Sequence, residues 1–319
     1  MNKIVVTGGA GFIGFHLVKK LLEDKNNHVT IVDNFSVGKM DKDLAELCSQ
    51  NPGTLQTISS DLYLEKLFWG IQADQVYHMD GAIGTKDLHG DPFKVIELNT
   101  IGMLNVLYCL GMKGAKIVFA STNEVYAGMT SLMPSENNTE DSPIGFDDLK
   151  SERWSYAISK FIGETLISRF SYNKDFRYSI ARLSNVYGPR MFNNYAPKSF
   201  IERALAHENP MTVINCDDTR PFTYVSDTVD GLILLMNRKM ADGETFNIGN
   251  PISVSVGDLA KTVCEVVGYT PEFKLLPANY GKPELRQANI EKAKTLGFDP
   301  KVSLKEGIIK TVDWYKKNG

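Results

Sequence analysis

The sequence predicts an α/β protein: a doubly wound parallel sheet followed by a smaller α/β lobe. Short β-rich runs alternate with longer amphipathic segments through the first half. A glycine-rich turn joins the first run to the first amphipathic segment, and the rhythm shortens past Tyr187-Gly188-Pro189-Arg190. Alternation at this spacing argues for right-handed βαβ units and a parallel sheet covered on both faces.

Strands are expected at Ile4–Thr7, Val29–Val32, Leu55–Ser59, Gln75–His78 and Lys116–Ala120. Phe12–Glu23 and Phe93–Leu110 read as helices. In the first of these, Leu17, Val18, Leu21 and Leu22 recur at helical spacing and would pack it on the sheet. Another helix begins near Ser155, and Arg177–Leu183 extends the sheet beyond it. Repeated prolines then break the chain into shorter segments. At 319 residues the chain exceeds the usual single-domain size, so two lobes sharing one cleft are expected. Residues 1–180 would form the first and 181–319 the second, with the helix near 227–237 returning to the first.

Thirty-five basic and 38 acidic side chains give a net charge of −3, which offers no basic footprint for a nucleic acid. Four scattered cysteines, without a Cys-x-x-Cys pair or a matching His cluster, argue against a metal site or a disulfide framework. Reduced thiols in a cytoplasmic protein are the simple reading. The strand-like run from Lys3 leaves no room for a leader, and Gly231–Met236 is far shorter than the roughly 20 apolar residues that span a bilayer. No membrane partner is therefore expected.

Thr7-Gly8-Gly9-Ala10-Gly11-Phe12-Ile13-Gly14 follows the first strand and opens the first helix. Gly8 permits the tight turn, and Gly11 lets the backbone N–H groups of Phe12 and Ile13 approach a pyrophosphate. Gly14 lets helix and strand lie close. Alone, such a triplet is an ordinary strand–helix turn. Nineteen residues on, Asp33 stands at the end of the second strand with Asn34 beside it. A carboxylate there accepts hydrogen bonds from ribose hydroxyls and repels a 2′-phosphate, and no arginine intervenes. A Rossmann-like domain binding NAD rather than NADP is expected. Asp61 and Leu62, after the third strand, read as a contact for adenine or as a helix cap.

Tyr156 and Lys160 stand four apart in a helical pattern, on one face; among thirteen tyrosines only Tyr156 has lysine at i+4. A nearby ammonium lowers a phenol pKa that is ordinarily about 10, so a tyrosinate could take a proton from a sugar hydroxyl as the carbon is oxidised. At the carboxyl end of the fifth strand, where ligands bind in open parallel sheets, stand Thr122, Asn123 and Glu124. Thr122 would bond the reacting hydroxyl, and Glu124 is a candidate acid or base for a second step. A plain turn cap is the bland alternative for Thr122.

Together the glycine loop, Asp33, Thr122 and Tyr156-x-x-x-Lys160 resemble the extended short-chain dehydrogenases of the nucleotide-sugar epimerase/dehydratase family, from about Ile4 to Trp314. Ala181-Arg182-Leu183-Ser184-Asn185-Val186-Tyr187-Gly188-Pro189-Arg190, Arg220–Asp227 and Phe246–Pro251 carry the likeness further. The resemblance implies bound NAD that is reduced and reoxidised, a nucleoside-diphosphate sugar substrate, Asn185 and Arg220 on the diphosphate, and a homodimer. Glu152-Arg153-Trp154-Ser155-Tyr156, Thr122-Asn123-Glu124-Val125-Tyr126 and Leu285-Arg286-Gln287-Ala288-Asn289-Ile290 resemble the UDP-glucuronate decarboxylase and apiose/xylose synthase branch, in which Arg286 would face the carboxylate. Asn123 stands where that branch has Ser and 4,6-dehydratases have Asp, and Gln287-Ala288 replace the usual basic residue and Pro. The alternatives are a 4-epimerase, a 4,6-dehydratase or a net sugar dehydrogenase. Asp80, after Val76-Tyr77-His78-Met79, adds a carboxylate where related sequences continue with small apolar residues.

Overall fold

A computed structural model describes residues 1–63, 70–82, 91–111, 114–132, 138–170, 176–192, 195–277, 286–287 and 289–318. The chain divides into two units, one of residues 1–134, 142–182 and 229–246 and the other of residues 135–141, 183–228 and 247–319.

The first unit opens with β1 (Asn2–Thr7), α1 (Phe12–Leu21) and β2 (Asn27–Asp33). After these come α2 (Lys42–Gln50), β3 (Leu55–Ser59) and β4 (Gln75–His78). Then follow α3 (Pro92–Cys109), β5 (Lys116–Thr122), α4 (Ala127–Leu132), α5 (Ser155–Phe170) and β6 (Arg177–Leu183). The sheet runs β6-β5-β4-β1-β2-β3, and the β1–β2, β2–β3, β1–β4 and β4–β5 pairs are all parallel. Chain order reverses between β1 and β4, which opens a crevice beyond their carboxyl ends. All seven residues of β5 are buried, as expected of a strand covered on both faces. Val5, Val76, Ile117 and Phe119 of the sheet pack with Met103, Leu107 and Ile167 of the covering helices. Each such side chain contributes about 1.5–3 kcal/mol by leaving water.

Two of the elements that the structure adds to the expected ones concern the sheet and its cover. Helix α2 buries only Leu44 and Leu47, so its apolar stripe is too thin to stand out among charged residues. Its start is set locally, where the Asp41 carboxylate accepts from Leu44 N at 3.0 Å. The other is a seventh strand, introduced below.

In the second unit lie β7 (Val186–Tyr187), α6 (Ala196–Leu205), β8 (Met211–Ile214), β9 (Thr219–Arg220) and β10 (Thr223–Tyr224). The chain then forms α7 (Val225–Asn237) and β11 (Glu244–Ile248), and β11 joins β6 as the sheet's seventh strand. Residues 229–246 thus belong to the first unit. The second unit finishes with β12 (Val254–Ser255), α8 (Val256–Val267), β13 (Phe273–Leu276), α9 (Glu291–Lys294) and α10 (Leu304–Asn318). Its short strands pair as β7 with β10, β9 with β12 and β8 with β13, while α8 packs against α6 and α10. Among the described residues no helix is long and apolar enough to cross a membrane.

Candidate functional site

Beyond the ends of β1 and β4 the backbone leaves space only for glycine. Gly8 takes φ +66°, and a Cβ there would lie 2.8 Å from the Cα of Asp80. A Cβ on Gly14 would sit 2.1 Å from the carbonyl oxygen of Gly8, so the turn closes over α1 without room for a methyl. Helix α1 starts at Phe12 with Gly11 at its N-cap, no side chain capping it and no acidic residue in its first turn. The N–H groups at this positive helix end are thus left for an anion.

Asp33 closes β2. One carboxylate oxygen accepts from Ala10 N at 3.0 Å and the other from Phe35 N at 2.8 Å, which ties the end of β2 to the glycine loop. Burial raises the Asp33 pKa, and those two N–H groups hold it back. A carboxylate has about four lone-pair sites, so Asp33 retains capacity for ribose hydroxyls. Asn34 turns to its own loop, its side-chain oxygen accepting from Ser36 N and Oγ. Asp61 accepts from Tyr63 N at 3.1 Å, a local cap. Leu62 is buried in the core, and its carbonyl oxygen accepts from Asn105. The glycine cradle, the helix end and the acceptor at Asp33 together fit a dinucleotide.

Helix α5 carries Tyr156, half-buried, and Lys160, buried one turn on. The Lys160 ammonium lies 5.8 Å from the Tyr156 ring centroid and 5.1 Å from that of Phe119, and donates to the carbonyl oxygen of Asp80 at 3.4 Å. Burial lowers the Lys160 pKa to about 8, against the pull of the Asp80 charge. It remains mostly protonated at neutral pH, next to a phenol it can help ionise. Close approach is built in: a Cβ on Gly81 would be 2.7 Å from that ammonium nitrogen.

The sequence reading passed over the residues that hold this helix. Asn99 of α3 donates to Ser159 Oγ at 2.7 Å and exchanges hydrogen bonds with both backbone groups of Ala82, fastening α5 to the segment after β4. Its only signal in the sequence is an amide inside an apolar helical run. His78, buried at the end of β4, shares a 2.7 Å hydrogen bond with Thr7 Oγ1 and stacks on Phe119. Burial, then the Lys160 charge, lowers its pKa to about 3, so it stays neutral.

Thr122 ends β5 and caps the short 3-10 turn Asn123–Tyr126, its Oγ1 accepting from Glu124 N at 3.2 Å. Thr122 is thus the local cap that the bland reading describes, with a hydroxyl proton still available to donate. Asn123 and Glu124 are half-buried on that turn, which packs against α5. Both ends of the turn meet one buried ion pair. Glu164 of α5 accepts from Ser121 Oγ at 2.5 Å and pairs with Arg182 of β6 at 2.7 Å, and Arg182 donates to Tyr126 OH at 2.6 Å.

Asp80 is flanked by charge. Burial, then the negative charge of Asp33, raises its pKa to about 6; Lys160 and the Gly81 N–H oppose the shift, and Asp61 adds to it.

In the second unit Asn185 and Arg220 line a pocket of about 220 Å³ together with Tyr195, Asn215, Asp218 and Phe222. The Arg220 guanidinium is oriented by the buried Asp218 carboxylate at 3.2 Å and by Thr219 O at 2.8 Å. It is therefore a lining residue with an ion-pair partner rather than a lone surface charge. Asn185 Oδ1 is buried without a hydrogen-bond partner among the described residues. Arg286 stands alongside β9, its N–H donating to Thr219 Oγ1 at 3.3 Å and its carbonyl accepting from Ser253. Leu285 and Ala288 of that motif, and the side chain of Arg153, lie outside the described residues.

Residues 4–249 match the NAD dependent epimerase/dehydratase family. The chain is 34% identical to UDP-glucuronic acid decarboxylase 1 of Xenopus tropicalis over 320 residues, 99% of this chain and 72% of that protein. It is 36% identical to UDP-glucuronic acid decarboxylase 5 of Arabidopsis thaliana, over 96% of this chain and 87% of that one. Among solved structures it is similar to the UDP-glucuronic acid 4-epimerase of Bacillus cereus in complex with UDP-glucuronic acid and NAD. That likeness has a TM-score of 0.83 at 27% identity and covers 99% of this chain and 100% of that one.

Proposed function

Because the chain belongs to the NAD dependent epimerase/dehydratase family, we propose that it decarboxylates UDP-glucuronate through transient oxidation of the sugar's C4 hydroxyl. The observation that carries this reading is Glu124, on the turn packed against the Tyr156–Lys160 helix, in a chain about a third identical to UDP-glucuronic acid decarboxylases. A simple 4-epimerase has no step that requires this carboxylate.

The glycine loop, the N-terminus of α1 and Asp33 would hold NAD, the family's cofactor, which would supply the oxidation and the later reduction at C4. Tyr156, its phenol acidified by Lys160, accepts the proton of the C4 hydroxyl, and Thr122 fixes that hydroxyl by a hydrogen bond. A 4-keto glucuronate is a β-keto acid. Its C5–C6 bond breaks, carbon dioxide leaves, and the electron pair stays on C5 and O4 as an enolate. Glu124 delivers a proton to C5, and Tyr156 returns its proton to O4 as C4 is reduced. Arg220 and Asn185 hold the diphosphate, for which the planar fork of arginine is suited, and Arg286 is assigned the carboxylate.

The test is product mass. Incubation with UDP-glucuronate should release a product lighter by about 44 Da, with no stoichiometric absorbance at 340 nm, since NAD is recycled. Similarity to the 4-epimerase favours a second reading, in which mass is unchanged and only C4 is inverted. Stoichiometric accumulation of reduced cofactor would overturn both. The same family membership leads us to assign a homodimer through α3 and α5, which expose Phe93, Tyr108 and Phe161, and a cytoplasmic location; sedimentation tests the first.

A further inference from the structure

We propose that the buried Glu164–Arg182 pair is a positioning device that sets the Thr122–Glu124 turn against the Tyr156–Lys160 helix. The inference rests on the catalytic reading above and assigns the pair no contact with substrate or cofactor.

Glu164 stands one helical turn beyond Lys160 and two beyond Tyr156, on the same face of α5. Its carboxylate accepts from Ser121 Oγ at 2.5 Å and from Arg182 Nε at 3.0 Å, and its second oxygen accepts from the Arg182 terminal nitrogen at 2.7 Å. Arg182 then reaches Tyr126 OH at 2.6 Å. Ser121 and Tyr126 bracket Thr122, Asn123 and Glu124. The candidate catalytic turn is therefore pinned at both ends to one ion pair, and that pair grows from the helix that carries the phenol and the ammonium.

Stability does not explain the pair. Its side chains are 6% and 7% exposed, and removing both charges from water offsets most of their attraction. Apolar side chains of equal volume would fill the space as well. What apolar packing lacks is direction: the fork of Arg182 and the two oxygens of Glu164 fix Ser121 and Tyr126 at hydrogen-bond length and angle. Ser121 and Tyr126 are each 3% exposed, so little water competes for these bonds.

The test cuts the links and spares the pair. In Ser121→Ala/Tyr126→Phe, Glu164 and Arg182 keep each other. Turnover should fall by about tenfold or more, because small misplacement of catalytic groups is costly, while KM and the NAD dissociation constant stay within about twofold. Amide hydrogen exchange should quicken in residues 122–126 and stay slow in α5 and β6. In Glu164→Met/Arg182→Met the fold and NAD binding should persist and turnover fall similarly. Wild-type turnover in the first variant, or exchange that quickens throughout the first unit, refutes positioning. Wild-type protein inactive on a nucleotide-sugar panel counts against the catalytic reading instead. The exchange result then decides the positioning claim alone.

Discussion

Replacing Asp80 by asparagine should stabilise the protein, and only above the acid range. The Asp80 carboxyl is held at about 6 against an ordinary 3.8, chiefly by burial and then by the charge of Asp33. Its folded-state pKa therefore exceeds the unfolded one, so the native chain binds the proton more tightly. Stability linked to Asp80 is complete below the unfolded value and is lost as pH rises through the folded one. A difference of about 2 units at about 1.4 kcal/mol each sets a ceiling near 3 kcal/mol. Asp80 keeps part of its surface in solvent, which reduces this to about 1–2 kcal/mol. Asparagine has nearly the same shape and no charge, so above about pH 6 the variant should gain that amount. For a chain of 319 residues the gain is about 1.5–3 °C in Tm. Thermal unfolding of the NAD-free protein from about pH 2.5 to 8 reads it directly. Below about pH 3 the two curves should converge, because the wild-type carboxyl is then mostly protonated in both states. A variant no more stable than wild type at about pH 7.5, or an offset of equal size at every pH, refutes the reasoning.

Three further outcomes follow from the site. Tyr156→Phe should lower turnover by about 10²-fold or more while titration calorimetry finds NAD still bound, since the phenol oxygen is the proposed proton acceptor and the glycine loop is untouched. Gly14→Ala should weaken NAD binding by more than about tenfold and cost about 1–3 kcal/mol of stability, because its methyl would meet the Gly8 carbonyl at 2.1 Å; fluorescence titration and melting measure the two. Arg220→Ala should raise KM for the nucleotide sugar by about 10–100-fold and leave NAD affinity unchanged, the loss expected for a charge-assisted hydrogen bond; initial-rate kinetics checks it.

Much of the fold is legible because local pattern and tertiary role coincide. Leu55–Ser59, Gln75–His78 and Arg177–Leu183 are strands at the bounds their β-rich composition suggests, since each is short, apolar and bracketed by turn residues. The pattern fails where burial is thin. Helix α2 hides two leucines behind seven other residues, and β11 follows α7 in a stretch that reads as part of the later lobe. For β11 the deciding fact is its pairing with β6, some 60 residues earlier in the chain, and no window of sequence contains it.

The site divides along the same line. Tyr156 and Lys160 are visible because a helix converts a spacing of four into adjacency, and Gly8, Gly11 and Gly14 because a tight turn demands them. What the spacing does not carry is the state of the ammonium. Burial lowers Lys160 to about 8, and the charge that opposes this comes from Asp80, 80 positions away, after a different strand. Asn99 reaches Ser159 across 60 positions, Glu164 reaches Ser121 across 43 and Arg182 reaches Tyr126 across 56, and each looks like an isolated polar residue until the sheet brings α3, α5 and β6 together. Motifs therefore identify the groups proposed to meet the reacting atoms, while the residues that surround and hold them come from elsewhere in the chain. The chemistry of Tyr156 depends on both. A phenol at that spacing on a solvated helix would keep a pKa of about 10, whereas a charged ammonium held beside it favours the phenolate.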